Sequence, residues 1–294
     1  MSTDFIIFLI RGDFLERKFA VIGFPLVHTM SPFIHEKLFS LSKIEAFYTA
    51  TEISPQDFLK STDELKKLDG FNVTIPYKQE IVPFLDDLGG SALLYGAVNT
   101  VSVNGGKLIG HNTDADGFLS ALELFAQDDF ETALICGCGG AARTLAIALA
   151  KRGIKVSLAV RDTASKKALE IKEKIESFFG EKVNILNINK ISGGFDLLVN
   201  CTPLGMYPNL DKSPLEKSAL LGAKFVFDAV YNPKETLLIK YAKELSIPCG
   251  GGMEMLVLQA AKAHKLWYGA IFEKEDILSL VDAANEEMRR VFEK

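Results

Sequence analysis

Short apolar runs bounded by glycine, proline and small polar residues alternate along this chain with stretches whose apolar positions recur at helical spacing. Residues 19–23, F-A-V-I-G, predict a strand that leads through F-P-L-V-H-T-M to Ser31, read as the N-cap of a helix with Pro32 at its first position. Residues 46–53 alternate as a second strand, Ser54 and Pro55 open a capped helix reaching residue 68, and residues 70–75 make a third strand. Residues 77–85 read as a further helix, so Lys78 stands just past a strand's C-terminal end, the edge where open α/β sheets gather their sites. Asn104, Gly105 and Gly106 mark a hairpin turn between residues 96–100 and 110–114. This alternation implies an α/β layer with a mainly parallel sheet.

A helix over 116–130 then leads to a second series. Strand 133–136 runs through L-I-C-G-C-G-G-A-A-R into helix 144–151, closed by Gly153, and strand 154–160 completes a βαβ unit. Helix 164–179, strands 182–188 and 195–200, helix 214–220, strand 225–230 and helix 235–245 are the pieces of a doubly wound sheet, and 253–267 and 276–292 read as closing helices. The turn carries Gly137, Gly139 and Ala142 at the spacing G-x-G-x-x-A. Gly137 permits a tight turn, Gly139 lets the backbone approach an anion, and Ala142 keeps helix and strand close. The helix N-terminus then offers unpaired N–H groups and its positive dipole end to a pyrophosphate. The same residues would also serve a purely structural turn.

Composition narrows the picture mainly by exclusion. The 294 residues suffice for two domains, and 48% hydrophobic with 24% charged residues is ordinary for a globular protein. A net charge of -5 gives no footprint for nucleic acid. Cys136, Cys138, Cys201 and Cys249 are too few for a disulfide scaffold and read as buried thiols of a reducing compartment, hence a cytoplasmic protein. With dispersed histidines and no ligand spacing, no metal site is expected. The apolar residues 5–10 are short, lack a preceding basic region and read as an extension rather than a signal peptide; nothing is long enough to span a membrane.

Polar groups cluster at strand ends. Thr29 and Ser31 stand beside a helix N-terminus where a carboxylate would be held, although Ser31 would equally serve only as a cap. Read in order, S-P-F-I-H from Ser31, N-V-T-I-P-Y-K from Asn72, G-A-V-N-T from Gly96, N-T-D from Asn112, G-C-G-G-A-A-R from Gly137, N-C-T-P-L-G-M from Asn200 and G-G-M-E-M-L-V-L-Q-A from Gly251 resemble shikimate dehydrogenase over nearly everything after the extension.

The resemblance implies an N-terminal α/β substrate domain plus a Rossmann-type dinucleotide-binding domain. Residues 1–116 and 254–294 would form the first, with 1–18 as extension, and 117–253 the second. It implies Lys78 and Asp114 as the proton-transfer pair for reversible reduction of 3-dehydroshikimate to shikimate. Thr29, Ser31 and Tyr231 would meet the carboxylate, and Thr74, Asn99, Asp114 and Gln259 the ring hydroxyls. Gly137, Cys138, Gly139, Gly140, Ala141 and Ala142 would hold the pyrophosphate, and Thr202, Met206, Val230 and Gly252 would approach the nicotinamide. Arg161, with Lys166 and Lys167 nearby, favours NADP, whereas Asp162 would suit NAD. Thr29 stands where serine is usual, which keeps quinate open as an alternative substrate with NAD; a cofactor-sensing regulator without turnover is the alternative of another class. The partners expected are the small-molecule substrate, with a homodimer as the oligomeric option and neither nucleic acid nor membrane.

Overall fold

The computed structural model describes residues 17–26, 29–125 and 129–292; the extension expected over 1–18 lies outside them except for its last two residues. Strands β1 (Arg17–Gly23), β2 (Ala46–Glu52), β3 (Gly70–Val73), β4 (Asp87–Leu88), β5 (Thr100–Asn104) and β6 (Lys107–His111) form one sheet in the order β2-β1-β3-β5-β6-β4. The β1 pairings with β2 and β3 are parallel, while β5 runs antiparallel to β3 and β6. Gly105 and Gly106, at φ 58° and 77°, close the β5–β6 hairpin where both turn positions need positive φ.

The second sheet is wholly parallel. It comprises β7 (Thr132–Cys136), β8 (Lys155–Val160), β9 (Asn184–Asn187), β10 (Leu197–Asn200), β11 (Phe225–Asp228) and β12 (Cys249–Gly251), in the order β12-β11-β10-β7-β8-β9. The strand order reverses between β7 and β10, the switch point that opens a crevice at the strands' C-terminal ends. This is the doubly wound dinucleotide-binding architecture, and its strands read as continuous apolar runs because both faces are covered.

Helices α1 (Ser31–Ser42), α2 (Phe58–Leu65) and α3 (Gly90–Tyr95) flank the first sheet, and α4 (Asp114–Phe125) crosses toward the second. Helices α5 (Gly140–Lys151), α6 (Lys166–Phe179) and α7 (Leu237–Glu244) cover the second. Helix α8 (Gly252–Tyr268) starts at the end of β12 and returns to the first sheet, where the Trp267 indole N–H donates to the Val101 carbonyl at 2.9 Å. Helix α9 (Lys274–Phe292) packs Leu280 and Val281 with Val257 of α8 and Ile34 and Leu38 of α1. Phe118 of α4 meets Phe227 of β11 edge-on at 4.9 Å, so one apolar cluster runs from α4 into the second sheet.

Several element boundaries differ from the sequence reading, each for a local reason. No α-helix forms over 77–85; a turn carries Lys78 and a 3-10 segment follows at Val82–Phe84. Pro83 lacks an N–H and disfavours helical geometry at the residue before it. The helix expected from Ser54 begins at Phe58, because the Ser54 hydroxyl bonds the Asp57 carboxylate in a preceding turn. The 214–220 helix is a 3-10 segment at Lys217–Leu220, preceded by a Ser213 hydroxyl that bonds backbone at Leu215. The long connecting helix starts at Asp114 rather than 116, which puts that carboxylate in its first turn. Of the four thiols only Cys136 is fully buried; Cys138, Cys201 and Cys249 are half-buried, and all are free.

Candidate active site

A cavity of about 480 Å³ lies between the C-terminal edges of β1 and β3 and the loops of the second sheet. Its lining includes Thr29, Ser31, Thr74, Lys78, Asn99, Asp114, Tyr231 and Gln259, all eight residues expected around the substrate.

The chemistry centres on Lys78 and Asp114. The Lys78 ammonium donates to Asp114 Oδ2 at 2.5 Å, with the lysine side chain 29% exposed and the carboxylate 7%. Lys78 is held by its own backbone, whose carbonyl accepts the Val98 N–H at 2.7 Å. Asp114 is held by Asn99, whose amide donates to Oδ1 at 2.8 Å while its oxygen accepts the Thr113 N–H at 2.7 Å. A carboxylate in the first turn of α4 also gains from the positive end of the helix dipole. Gln259 reaches this cluster because α4 and α8 touch at Gly117, where a Cβ would stand 2.6 Å from the Met255 carbonyl oxygen.

At the cavity's other end Met30, not Ser31, is the N-cap of α1, and no side chain caps that helix through it. The Ser31 N–H donates instead to Thr29 Oγ1 at 3.2 Å. Thr29 therefore keeps its own O–H to donate, and the Ser31 hydroxyl is released from capping and bonds the Tyr48 phenol.

The dinucleotide turn has the geometry its glycines demand. Gly137 sits at φ 109°, and a Cβ there would press on the Cys201 carbonyl and the Thr202 methyl at 3.3 Å. Gly139 is the N-cap of α5 without a side-chain cap, and the space beside Gly139 and Gly140 is open. Ala142 is fully buried. Free N–H groups facing open space at a helix N-terminus fit a pyrophosphate. Cys138 faces Ser165 across the turn, and Arg161, Asp162 and Lys166 are exposed around that rim. The Asp162 carboxylate accepts the Ala164 N–H at 3.0 Å, so it caps its own turn. Ala141, Met206 and Gly252 line the large cavity; Thr202 stands beside Gly137, and Val230 is buried against a second, smaller cavity.

Comparison with known proteins places this geometry. Residues 21–101 match the family model described as the shikimate dehydrogenase substrate binding domain. A relative named shikimate dehydrogenase (NADP(+)) from Methanocaldococcus jannaschii is 39% identical over 254 residues, 85% of this chain and 90% of that protein. The chain belongs to the shikimate dehydrogenase family. A crystal structure of a shikimate dehydrogenase in complex with NADP+ superposes with a TM-score of 0.85 at 34% identity, covering 91% of this chain and 95% of the other. That of a shikimate 5-dehydrogenase from Thermus thermophilus in complex with NADP(H) and shikimate has a TM-score of 0.80 at 30% identity, covering 91% and 99%.

Other wall residues of the cavity escaped the sequence reading: Asn72, His35, Tyr207 and Asn232 among them. Asn72 stands within a motif that was legible, but its role as a strand residue hid that its amide faces the cavity. A buried acid beneath the second sheet's edge also went unread. Asp228 is fully buried and accepts from the Thr236 hydroxyl at 2.6 Å, the Asn200 amide at 2.9 Å and the Val230 N–H at 3.0 Å. Burial pushes its carboxyl up to about 6, against those three hydrogen bonds. Asn200 in turn accepts the Thr202 N–H and hydroxyl, so Asp228 anchors the loop that carries Thr202 and Met206. No described helix is long and apolar enough to cross a membrane, and no described cluster of three or more His, Cys, Asp or Glu side chains could hold a metal.

Proposed function

We propose that this chain reversibly reduces 3-dehydroshikimate to shikimate with NADPH. The observation that carries the reading is the Lys78–Asp114 contact of 2.5 Å in a cavity whose far wall includes Ala141 of the dinucleotide-turn helix. Relatives named for this NADP-dependent activity, and the solved complexes with NADP(H) and shikimate, support it. Residues 1–116 and 254–294 form the substrate domain in this reading and 117–253 the cofactor domain; free thiols suit a cytoplasmic enzyme.

Bound NADPH supplies the hydride. Lys78 donates a proton to the oxygen that becomes the hydroxyl and takes it back in the oxidative direction, with Asp114 keeping the ammonium oriented. Thr29 and Ser31 donate to the substrate carboxylate, joined by Tyr231 from across the cavity. Thr74, Asn99 and Gln259 pair with ring hydroxyls, so an analogue lacking one leaves a buried polar group unpaired. Gly137 to Ala142 hold the pyrophosphate, Thr202, Met206, Val230 and Gly252 flank the nicotinamide, and Arg161 with Lys166 meets the ribose phosphate. The occupied Asp162 carboxylate supports NADP over NAD.

Cofactor absorbance followed with shikimate or quinate, each with NADP or NAD, tests this. Turnover centred on shikimate with NADP, lost in Lys78→Ala, is expected. Turnover centred on quinate with NAD would transfer the assignment to the related dehydrogenase, and cofactor binding without turnover would make the chain a sensor.

A further inference from the structure

Tyr48 lies behind the cavity wall, 5% exposed and absent from its lining, yet it joins the two ends of the site. Its O–H donates to Asn72 Oδ1 at 2.6 Å, and the Ser31 hydroxyl donates to its oxygen. Asn72 spends its amide N–H groups on the Asn99 carbonyl at 3.1 Å and the Thr100 hydroxyl at 3.0 Å, which fixes its Oδ1 toward Tyr48. The Tyr48 ring is locked in place by a stack on His35, with centroids 4.0 Å apart and planes within 7°. His35 is itself pinned, Nδ1 to Nε2 of His264 at 2.9 Å, and His264 bonds the Tyr268 hydroxyl. The phenol is thus a rigidly mounted relay between Ser31, at the carboxylate end, and Asn72, at the ring-hydroxyl end.

We propose that Tyr48 is a positioning residue that couples recognition of the substrate carboxylate to recognition of its ring hydroxyls by reversing the direction of this hydrogen-bond chain. Without substrate the order is Ser31 to Tyr48 to Asn72. A carboxylate that takes the Ser31 proton as a hydrogen bond leaves Ser31 with lone pairs only toward Tyr48. The Tyr48 O–H then rotates to donate to Ser31, and Asn72 Oδ1 is released to accept a ring hydroxyl. No proton changes its heavy atom; two hydroxyl rotors turn. Each end of the substrate thereby raises the affinity for the other, and a ligand lacking the carboxylate meets an Asn72 already occupied.

The inference rests on the proposed activity, and the test separates the two. Shikimate KM, NADP KM and kcat are measured for the parent, Tyr48→Phe, Ser31→Ala and the double variant; phenylalanine preserves the His35 stack and the buried volume. Tyr48→Phe is expected to raise shikimate KM about tenfold, the worth of about one redirected hydrogen bond. Its kcat and NADP KM stay within about twofold, and in the Ser31→Ala background the same change costs less than about threefold, because the relay is already cut. Losses that multiply independently, or that fall on kcat or on NADP, overturn the coupling role. A second cycle, Ser31→Ala with Asn72→Ala, asks the same of the two ends without altering Tyr48: coupled KM effects are expected, and independent ones overturn the proposal. A parent without shikimate turnover overturns the proposed function and this inference with it, whereas an active parent with independent losses overturns this inference alone.

Discussion

Replacing Asp228 by asparagine isolates the cost of burying its carboxylate. The folded carboxyl sits at about 6 against an ordinary value of 3.8. Across that window the folded protein keeps a proton that the unfolded chain has lost, so stability falls as pH rises from about 4 and the loss is complete above about 6. At about 1.4 kcal/mol per pH unit the rise corresponds to on the order of 3 kcal/mol. Asparagine does not titrate. Its Oδ1 can keep the bonds from Asn200 and Val230, while its amide turns the Thr236 hydroxyl into an acceptor in competition with the Ile239 N–H, a pH-independent offset of about 1 kcal/mol. Urea unfolding of parent and Asp228→Asn between about pH 4 and pH 7 should therefore give a parent-minus-variant difference that falls by about 3 kcal/mol and then levels. All other titrations cancel in the difference. A difference that stays flat across the window would refute the claim that this acid is buried at a cost.

Four other outcomes are expected. Lys78→Ala lowers kcat by about 10²- to 10⁴-fold with a smaller change in NADP KM, as steady-state kinetics will show. Gly117→Ala forces α4 away from the Met255 carbonyl, separating Asp114 from Gln259; shikimate KM rises and urea unfolding shows a loss of about 1–3 kcal/mol. Arg161→Ala raises NADP KM about tenfold or more and leaves NAD KM unchanged, whereas Asp162→Ala does not improve NADP binding, because its carboxylate serves the turn. His264, held by burial down to about 3, stays neutral while the unfolded chain protonates below 6.5, so parent stability drops as pH falls through that value. In His264→Phe the drop between about pH 7 and pH 5, read from urea midpoints, is smaller.

What could be read in the sequence was what local chemistry dictates. The apolar runs of β7 and β8 and the glycines between them announced a parallel sheet and a phosphate turn, because both signals lie within one βαβ unit. The Lys78–Asp114 pair is different in kind. Thirty-six positions separate the two residues, and nothing in their spacing brings an ammonium to a carboxylate; the family resemblance supplied the pairing. β4 and β12 were missed because strands of two and three residues carry no periodicity, and α3 because six residues make less than two turns. Ser31 looked like a cap since the competing acceptor, the Thr29 hydroxyl, becomes visible only with the backbone path. Tyr48 read as an ordinary strand aromatic, its hydroxyl partners being supplied by α1 and β3.

The return of α8 to the first sheet bears on how the chain is made. Phe19 and Phe39 reach their buried state against Trp267 and Tyr268, with Phe19 and Trp267 centroids 4.5 Å apart. During synthesis these aromatics leave the ribosome more than 220 residues before their cover. At roughly 5–20 residues per second that interval lasts on the order of ten to fifty seconds. Through all of it the face of β1 and α1 stays open, while the second sheet, whose strands are contiguous in sequence, can close on its own. The half that meets the substrate is thus the first to be translated and the last to be finished, and the nascent chain offers chaperones a defined aromatic surface for as long as α8 is missing.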